Sequence, residues 1–281
     1  MDQARCDRAV GLQASGRLEE AIQEFHLMAA EASDPNEKAT MMLWEGKSHA
    51  LAGHLSEAEA ILAQAQALAP DDVIRINVDF GAACVAFQAG KHEDALGQYR
   101  EMVRRYAEML KSEEYRPLSE EIRHRIAFSM VHVGRYNDAL SILEQIISFP
   151  SLGPEFQQEA HLYLGICYEE EGKEQQAIKQ FLRTVEFNFK NSAEANARFR
   201  AGQLYFLNGG AAQAKQQLEA ALQIDQTEID RKSMYKQLSS VCRYLGETEN
   251  EIRYTRLAEE DIPSRLRRVG RFISRRPAPL D

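Results

Sequence analysis

The sequence predicts an all-α solenoid of about seven helix hairpins followed by a basic C-terminal tail. Three observations predict it. Seven glycines recur at near-equal steps: Gly16, Gly53, Gly90, Gly134, Gly172, Gly209 and Gly246 are separated by 37, 37, 44, 38, 37 and 37 residues. Five residues after each of the first six stands an alanine, and four residues beyond that a Phe, Tyr or Leu. Proline is scarce, 8 residues in 281, while Ala, Leu, Glu and Gln are plentiful, a composition that favours helix.

The pairs that follow the glycines are Ala21 with Phe25, Ala58 with Leu62, Ala95 with Tyr99, Ala139 with Leu143, Ala177 with Phe181 and Ala214 with Leu218. The unit at Gly246 is worn, with Glu251 in the alanine position. A glycine ends one helix in the left-handed conformation without steric cost. The small alanine lets the second helix approach the first. The large residue at alanine+4 shares its helical face and fills the seam. Upstream of the glycines, apolar residues recur at helical spacing, as in Leu164, Gly165 and Tyr168, or Ala201, Gly202 and Tyr205. The 44-residue step holds seven extra residues, about two helical turns, so residues 101–115 are expected to extend the second helix of the third hairpin. Pro35, Pro70, Pro117, Pro150 and Pro154 fall between hairpins and Pro263 follows the last, where a missing N–H does no harm.

The stretch His161-Leu162-Tyr163-Leu164-Gly165-Ile166-Cys167-Tyr168, with Gly172, Ala177 and Phe181 after it, fits the pattern L-G-x-x-Y…A-x-x-x-F. In this the chain resembles the tetratricopeptide repeat (TPR) family, over about residues 2–262. The resemblance implies a right-handed superhelix whose first helices line a concave inner face. It also implies a function in binding other proteins rather than in catalysis. A period of 37 rather than about 34 implies helices or inter-repeat turns about three residues longer. The array is expected over residues 1–262 and the tail over 263–281.

Composition narrows the alternatives. The net charge of −9 argues against a chain that coats nucleic acid over its whole surface. No apolar run approaches the length of a membrane span. The opening residues, Met1 to Asp7, carry acids and lack the apolar core of a secretory signal, so the chain is expected to be cytoplasmic. Cys6, Cys84, Cys167 and Cys242 lie about eighty residues apart, which suits apolar packing as free thiols rather than zinc or disulfides.

No catalytic constellation stands out, and the chain is expected to be no enzyme and to need no cofactor. Gly46-Lys47-Ser48 ends like a phosphate loop, but position 41 is Met and no strand precedes it. His49 with His54, and His124 with His132, are read as packed or solvated histidines, not metal ligands. Glu169-Glu170-Glu171 directly precedes the turn at Gly172 and reads as a solvated helix end.

The inner face is the functional candidate. Aligned on the repeat alanine, the family geometry turns Leu43, Lys47, Phe80, Cys84, Phe87, His124, Phe128, Leu162, Ile166, Glu169, Phe199, Gln203, Phe206, Lys236 and Arg243 inward. Phe80, Phe87, Phe128, Phe199 and Phe206 are the expected aromatic anchors for a protein or peptide partner, an extended segment or amphipathic helix. Lys47, His124, Gln203 and Arg243 supply the polar contacts. The competing reading is that the phenylalanines pack between adjacent hairpins. The Lys/Asn clamp by which some family members hold C-terminal carboxylates is not evident.

The tail is the second candidate. Arg265, Arg267, Arg268, Arg271, Arg275 and Arg276 face a single acid, Asp281, giving residues 262–281 a charge of +5 against −14 for the rest. Leu266, Val269, Phe272 and Ile273 recur at helical spacing. Three roles are open to it: a cap on the last hairpin, a contact with an acidic partner or with the acidic array, and a contact with anionic lipid or nucleic acid.

Overall fold

The computed structural model describes residues 3–69, 71–148, 153–224 and 230–259. Among these there are fourteen α-helices and no strand. They are α1 Gln3–Ala14, α2 Leu18–Glu31, α3 Pro35–Ala52, α4 Leu55–Leu68, α5 Asp72–Gln88, α6 His92–Arg105, α7 Arg116–His132, α8 Tyr136–Ile147, α9 Pro154–Glu170, α10 Glu174–Glu186, α11 Ser192–Leu207, α12 Ala211–Leu222, α13 Arg231–Leu245 and α14 Thr248–Glu259. None is long and apolar enough to cross a membrane. The described residues group into two compact units, one running to Ser129 and the other from Met130.

Every one of the seven spaced glycines joins two helices and has a positive φ, between 72° and 84°. In each turn the residue after the glycine donates its N–H to the carbonyl five residues back: Arg17 to Leu12, His54 to His49, Lys91 to Ala86, Arg135 to Met130, Lys173 to Tyr168, Gly210 to Tyr205 and Glu247 to Cys242, at 2.7–3.0 Å. This bond satisfies a helix-end carbonyl that would otherwise lack a partner.

Helix starts are equally explicit. The side chains of Asp34, Asp71 and Asn191 accept hydrogen bonds from the N–H groups of Glu37, Val73 and Glu194 at the heads of α3, α5 and α11. Pro35 and Pro154 open α3 and α9, and Pro117 lies in the first turn of α7, where no intrahelical N–H bond is lost. Pro70, Pro150 and Pro263 lie outside the described residues, as does the tail with its six arginines.

The seams form as the pattern requires. Ala21, Ala58, Ala95, Ala139, Ala177 and Ala214 are fully buried, and so are Phe25, Leu62, Tyr99, Leu143, Phe181 and Leu218. In the worn unit, polar pairs take the alanine and alanine+4 positions, while Leu238, Val241, Cys242 and Tyr254 keep an apolar core. Glu251 takes the Arg243 guanidinium at 2.6 Å, and Thr255 pairs with Ser239 at 2.7 Å. Buried apolar residues form clusters strung along the chain, one around Phe25, Met41 and Leu62, another around Tyr99 and Ile122, another around Leu218 and Leu238. Within each unit, neighbouring hairpins share these clusters.

Residues 101–115 depart from expectation. Instead of extending α6, the chain leaves the helix at Tyr106 (φ −104°, ψ 28°) and makes one 3-10 turn over Met109–Lys111. Tyr106 is buried and its hydroxyl donates to Asp79 of α5 at 2.6 Å, while Met109, Leu110 and Tyr115 pack onto the Tyr99 cluster. Burying three apolar side chains and satisfying a phenol outweighs two more turns of exposed helix.

Candidate partner-binding surface

In the first unit the candidate residues come from α3, α5 and α7. The side chain of Leu43 on α3 packs against Gly81 of α5, so these two first helices lie close; a β-carbon at Gly81 would sit 2.8 Å from it. Phe80, Cys84 and Phe87 on α5 are half-buried and pack onto the Tyr99 cluster. The Phe80 ring lies 6.1 Å from that of Tyr99, and Phe87 meets His92 edge-on at 4.8 Å. The Tyr99 hydroxyl donates to Cys84 Sγ at 3.3 Å. Burial pushes the Cys84 thiol up, so it stays protonated. Lys47 on α3 is half-buried, with its ammonium 4.9 Å from the centre of the Trp44 ring. Desolvation lowers its pKa, against the opposing pull of Cys84 and Glu121.

Two of the expected contact residues are fully covered. His124 and Phe128, on α7, are buried at 0% and 1% exposure, their rings edge-on at 5.7 Å. They belong to the interior, where Phe128 cannot anchor a partner without a rearrangement. Burial, with Arg125 and Arg123 nearby, pushes the His124 pKa down to about 4.

In the second unit the first helices α9, α11 and α13 supply the candidates, and α11 touches both of the others. Leu162 and Ile166 are buried. Phe199 and Phe206 are half-buried against the Leu218 cluster, and Gln203 is half-buried between them along α11. Glu169 of α9 receives the Arg200 guanidinium of α11 at 2.6 Å, and Glu171 pairs with Lys173 at 2.8 Å. Arg243 is exposed and held by Glu251; Lys236 is exposed.

The repeat alignment passed over two neighbours of this set. Phe206 meets Tyr244 edge-on at 5.9 Å, and Tyr244 is 69% exposed while Leu207 is 74% exposed. A signal for them existed: both stand two residues before a turn glycine, Gly209 and Gly246, at the rim of the first-helix face.

The remaining motifs resolve simply. Gly46-Lys47-Ser48 is mid-helix, with Gly46 tight against Leu62 and Ser48 buried between Gln13 and the Trp44 carbonyl. The His49 and His54 rings sit 5.7 Å apart. Cys6, Cys167 and Cys242 are buried free thiols, and Cys84 is half-buried. No group of three or more His, Cys, Asp or Glu among the described residues is placed to hold a metal.

A sequence profile described as Tetratrico peptide repeat matches residues 78–191 and 195–269. No curated protein sequence matches the chain. Among solved structures, it is similar to a tetratricopeptide repeat protein from Parabacteroides merdae ATCC 43184, at 17% identity and a TM-score of 0.62 over 92% of this chain and 91% of that one. Pseudomonas aeruginosa pilF is similar at 14% identity and a TM-score of 0.62, over 82% and 94% of the two chains. A chain of the APC/C hetero-tetramer Cut9-Hcn1 is similar at 15% identity and a TM-score of 0.65, over 89% of this chain and 44% of that one. At these identities the likeness is one of fold. With the profile covering most of the sequence, and the glycine turns and alanine seams built as the pattern demands, the chain belongs to the tetratricopeptide repeat family.

Proposed function

We propose that the chain is a non-enzymatic protein-interaction scaffold, built of seven TPR-like repeats over residues 1–262, whose first helices bind a segment of a protein partner. The observation that carries this reading is the row of half-buried aromatics on first helices, Phe80 and Phe87 in one unit and Phe199 and Phe206 in the other. Each packs on its own cluster and keeps part of its ring accessible. An aromatic ring fixed on one side and open on the other is the arrangement of an interface anchor. Tyr244 and Leu207 widen the apolar rim in the second unit. Family membership agrees, since TPR proteins generally bind protein or peptide partners. The test is alanine substitution of Phe87 and Phe206 with peptides selected on the full chain. Binding that weakens while helicity persists supports the reading, and binding that does not change contradicts it.

A second reading, tethering through the arginine tail, has its own observation. Helix α13 carries Arg231, Lys232, Lys236 and Arg243 and no acid, and residues 263–281 have a net charge of +5. An acidic partner, an anionic membrane surface or a nucleic acid would then bind with steep salt dependence. Deleting residues 263–281 separates the two readings: the scaffold keeps its peptide, and the tether loses its surface.

A further inference from the structure

Lys47 is a cation in an unusual place. It stands mid-helix on α3, half-buried, and its ammonium rests against the Trp44 ring. It forms no ion pair among the described residues. Two groups pull on its charge, Cys84 of α5 and Glu121 of α7, and neither is free to serve it. The Cys84 thiol is protonated and takes the Tyr99 hydroxyl hydrogen. Glu121 already holds Arg125 at 3.3 Å.

Taking an ammonium partly out of water is costly unless a counter-charge meets it, and an aromatic ring offsets only part of that cost. Two lysines of this chain do find carboxylates across a turn or a hairpin: Lys91 meets both oxygens of Glu59 at 2.7 Å, and Lys173 meets Glu171 at 2.8 Å. In a chain with 43 acids, Lys47, beside the Trp44 ring and within electrostatic reach of Cys84, which lies between Phe80 and Phe87 along α5, has none among the described residues.

We propose that the face formed by α3, α5 and the start of α7 takes a partner segment bearing one acidic side chain, which pairs with Lys47 while flanking apolar residues lie on Phe80 and Phe87. This deepens the scaffold reading and rests on it. A single carboxylate fits better than a polyanion. One unpaired ammonium supplies one counter-charge, and Glu121 and the −14 array repel a dense run of phosphates. The carboxylate would return to Lys47 the partner that burial has denied it.

The test uses a random-peptide phage library panned on the full chain, followed by affinities of synthetic copies of the enriched peptides. The expected peptides carry Asp or Glu within one helical turn of an aromatic or Leu. Changing that acid to its amide, and Lys47→Met in the protein, should each weaken binding about tenfold, with little further loss when combined. Lys47→Gln repeats the measurement with a polar isostere should the Met variant fold poorly, and Lys179→Met, at an exposed lysine of the second helix α10, should leave affinity unchanged. Additive losses, or enriched peptides without an acid, overturn the pairing. Peptides weakened by Phe87→Ala but indifferent to Lys47→Met leave the scaffold reading standing and remove this one. Peptides indifferent to every first-helix variant remove both.

Discussion

Phe181 lies so close to Gly165 that a β-carbon on the glycine would meet its ring at 2.5 Å. The same relationship joins Gly46 to Leu62 and Gly202 to Leu218, each at 2.8 Å. In these three hairpins the large residue at alanine+4 therefore demands a missing side chain on the first helix opposite. Gly165→Ala should cost about 1–3 kcal/mol by overpacking. Trimming the ring with Phe181→Leu should recover part of that loss in urea unfolding, which a purely backbone effect would not allow.

The turn glycines fail for a different reason. Around Gly172 there is open space, but its φ is 72°. Gly172→Ala should cost about 1–2 kcal/mol through the left-handed backbone alone. Gly172→Asn should cost less, because Asn tolerates that conformation. Thermal melts of both variants check the order.

Acid should weaken the first unit through His124. Its folded pKa is depressed to about 4 from the ordinary 6.5, so the unfolded chain binds the proton first as pH falls. The stability it lends is full above pH 6.5 and drains away between 6.5 and about 4, at up to about 1.4 kcal/mol per pH unit. Arg123 and Arg125 add to the penalty of a second charge there. In His124→Leu the denaturation midpoint should depend less on pH across that window; an unchanged slope would contradict the assignment.

Alkali should act on the tyrosine locks of the second unit. Tyr168 donates to Glu144 at 2.8 Å and Tyr254 to Glu219 at 2.9 Å, and burial first, then these carboxylates, push both phenols up to about 12. A raised phenol pKa means the folded state holds its proton longer. The stability is present below pH 10 and lost as pH rises toward 12. Tyr168→Phe should cost about 1 kcal/mol at pH 7 and flatten the alkaline fall.

The worn hairpin should be forgiving. Arg243 is well exposed and Glu251 partly so, so their ion pair is worth little. Glu251→Ala restores the repeat residue and should change stability by no more than about 0.5 kcal/mol. Leu143→Ala, in an intact seam, should cost about 2–5 kcal/mol.

The repeat was legible because its rules are local. A glycine turn, an alanine five residues on and a large residue four beyond that are set by backbone geometry within one hairpin. The region after Arg105 was not legible, because seven extra residues suit two helical turns and a packed loop equally well. The choice fell to Tyr106 and its bond to Asp79, a long-range contact. Helical periodicity likewise gave the direction in which Phe128 and His124 point, but not their depth; both are covered, whereas Phe80 and Phe87 on α5 remain half open. Tyr244 and Leu207 were missed because the repeat pattern points to mid-helix positions and not to the last residues before a turn glycine.

Carbene footprinting of the full chain with a selected peptide tests the central claim most directly. The account predicts reduced labelling at first-helix residues, Phe87 in one unit or Phe206 and Tyr244 in the other, with unchanged labelling at the exposed second-helix residues Leu27, Val103 and Ile252. Protection confined to Leu27, Val103 or Ile252 would contradict it.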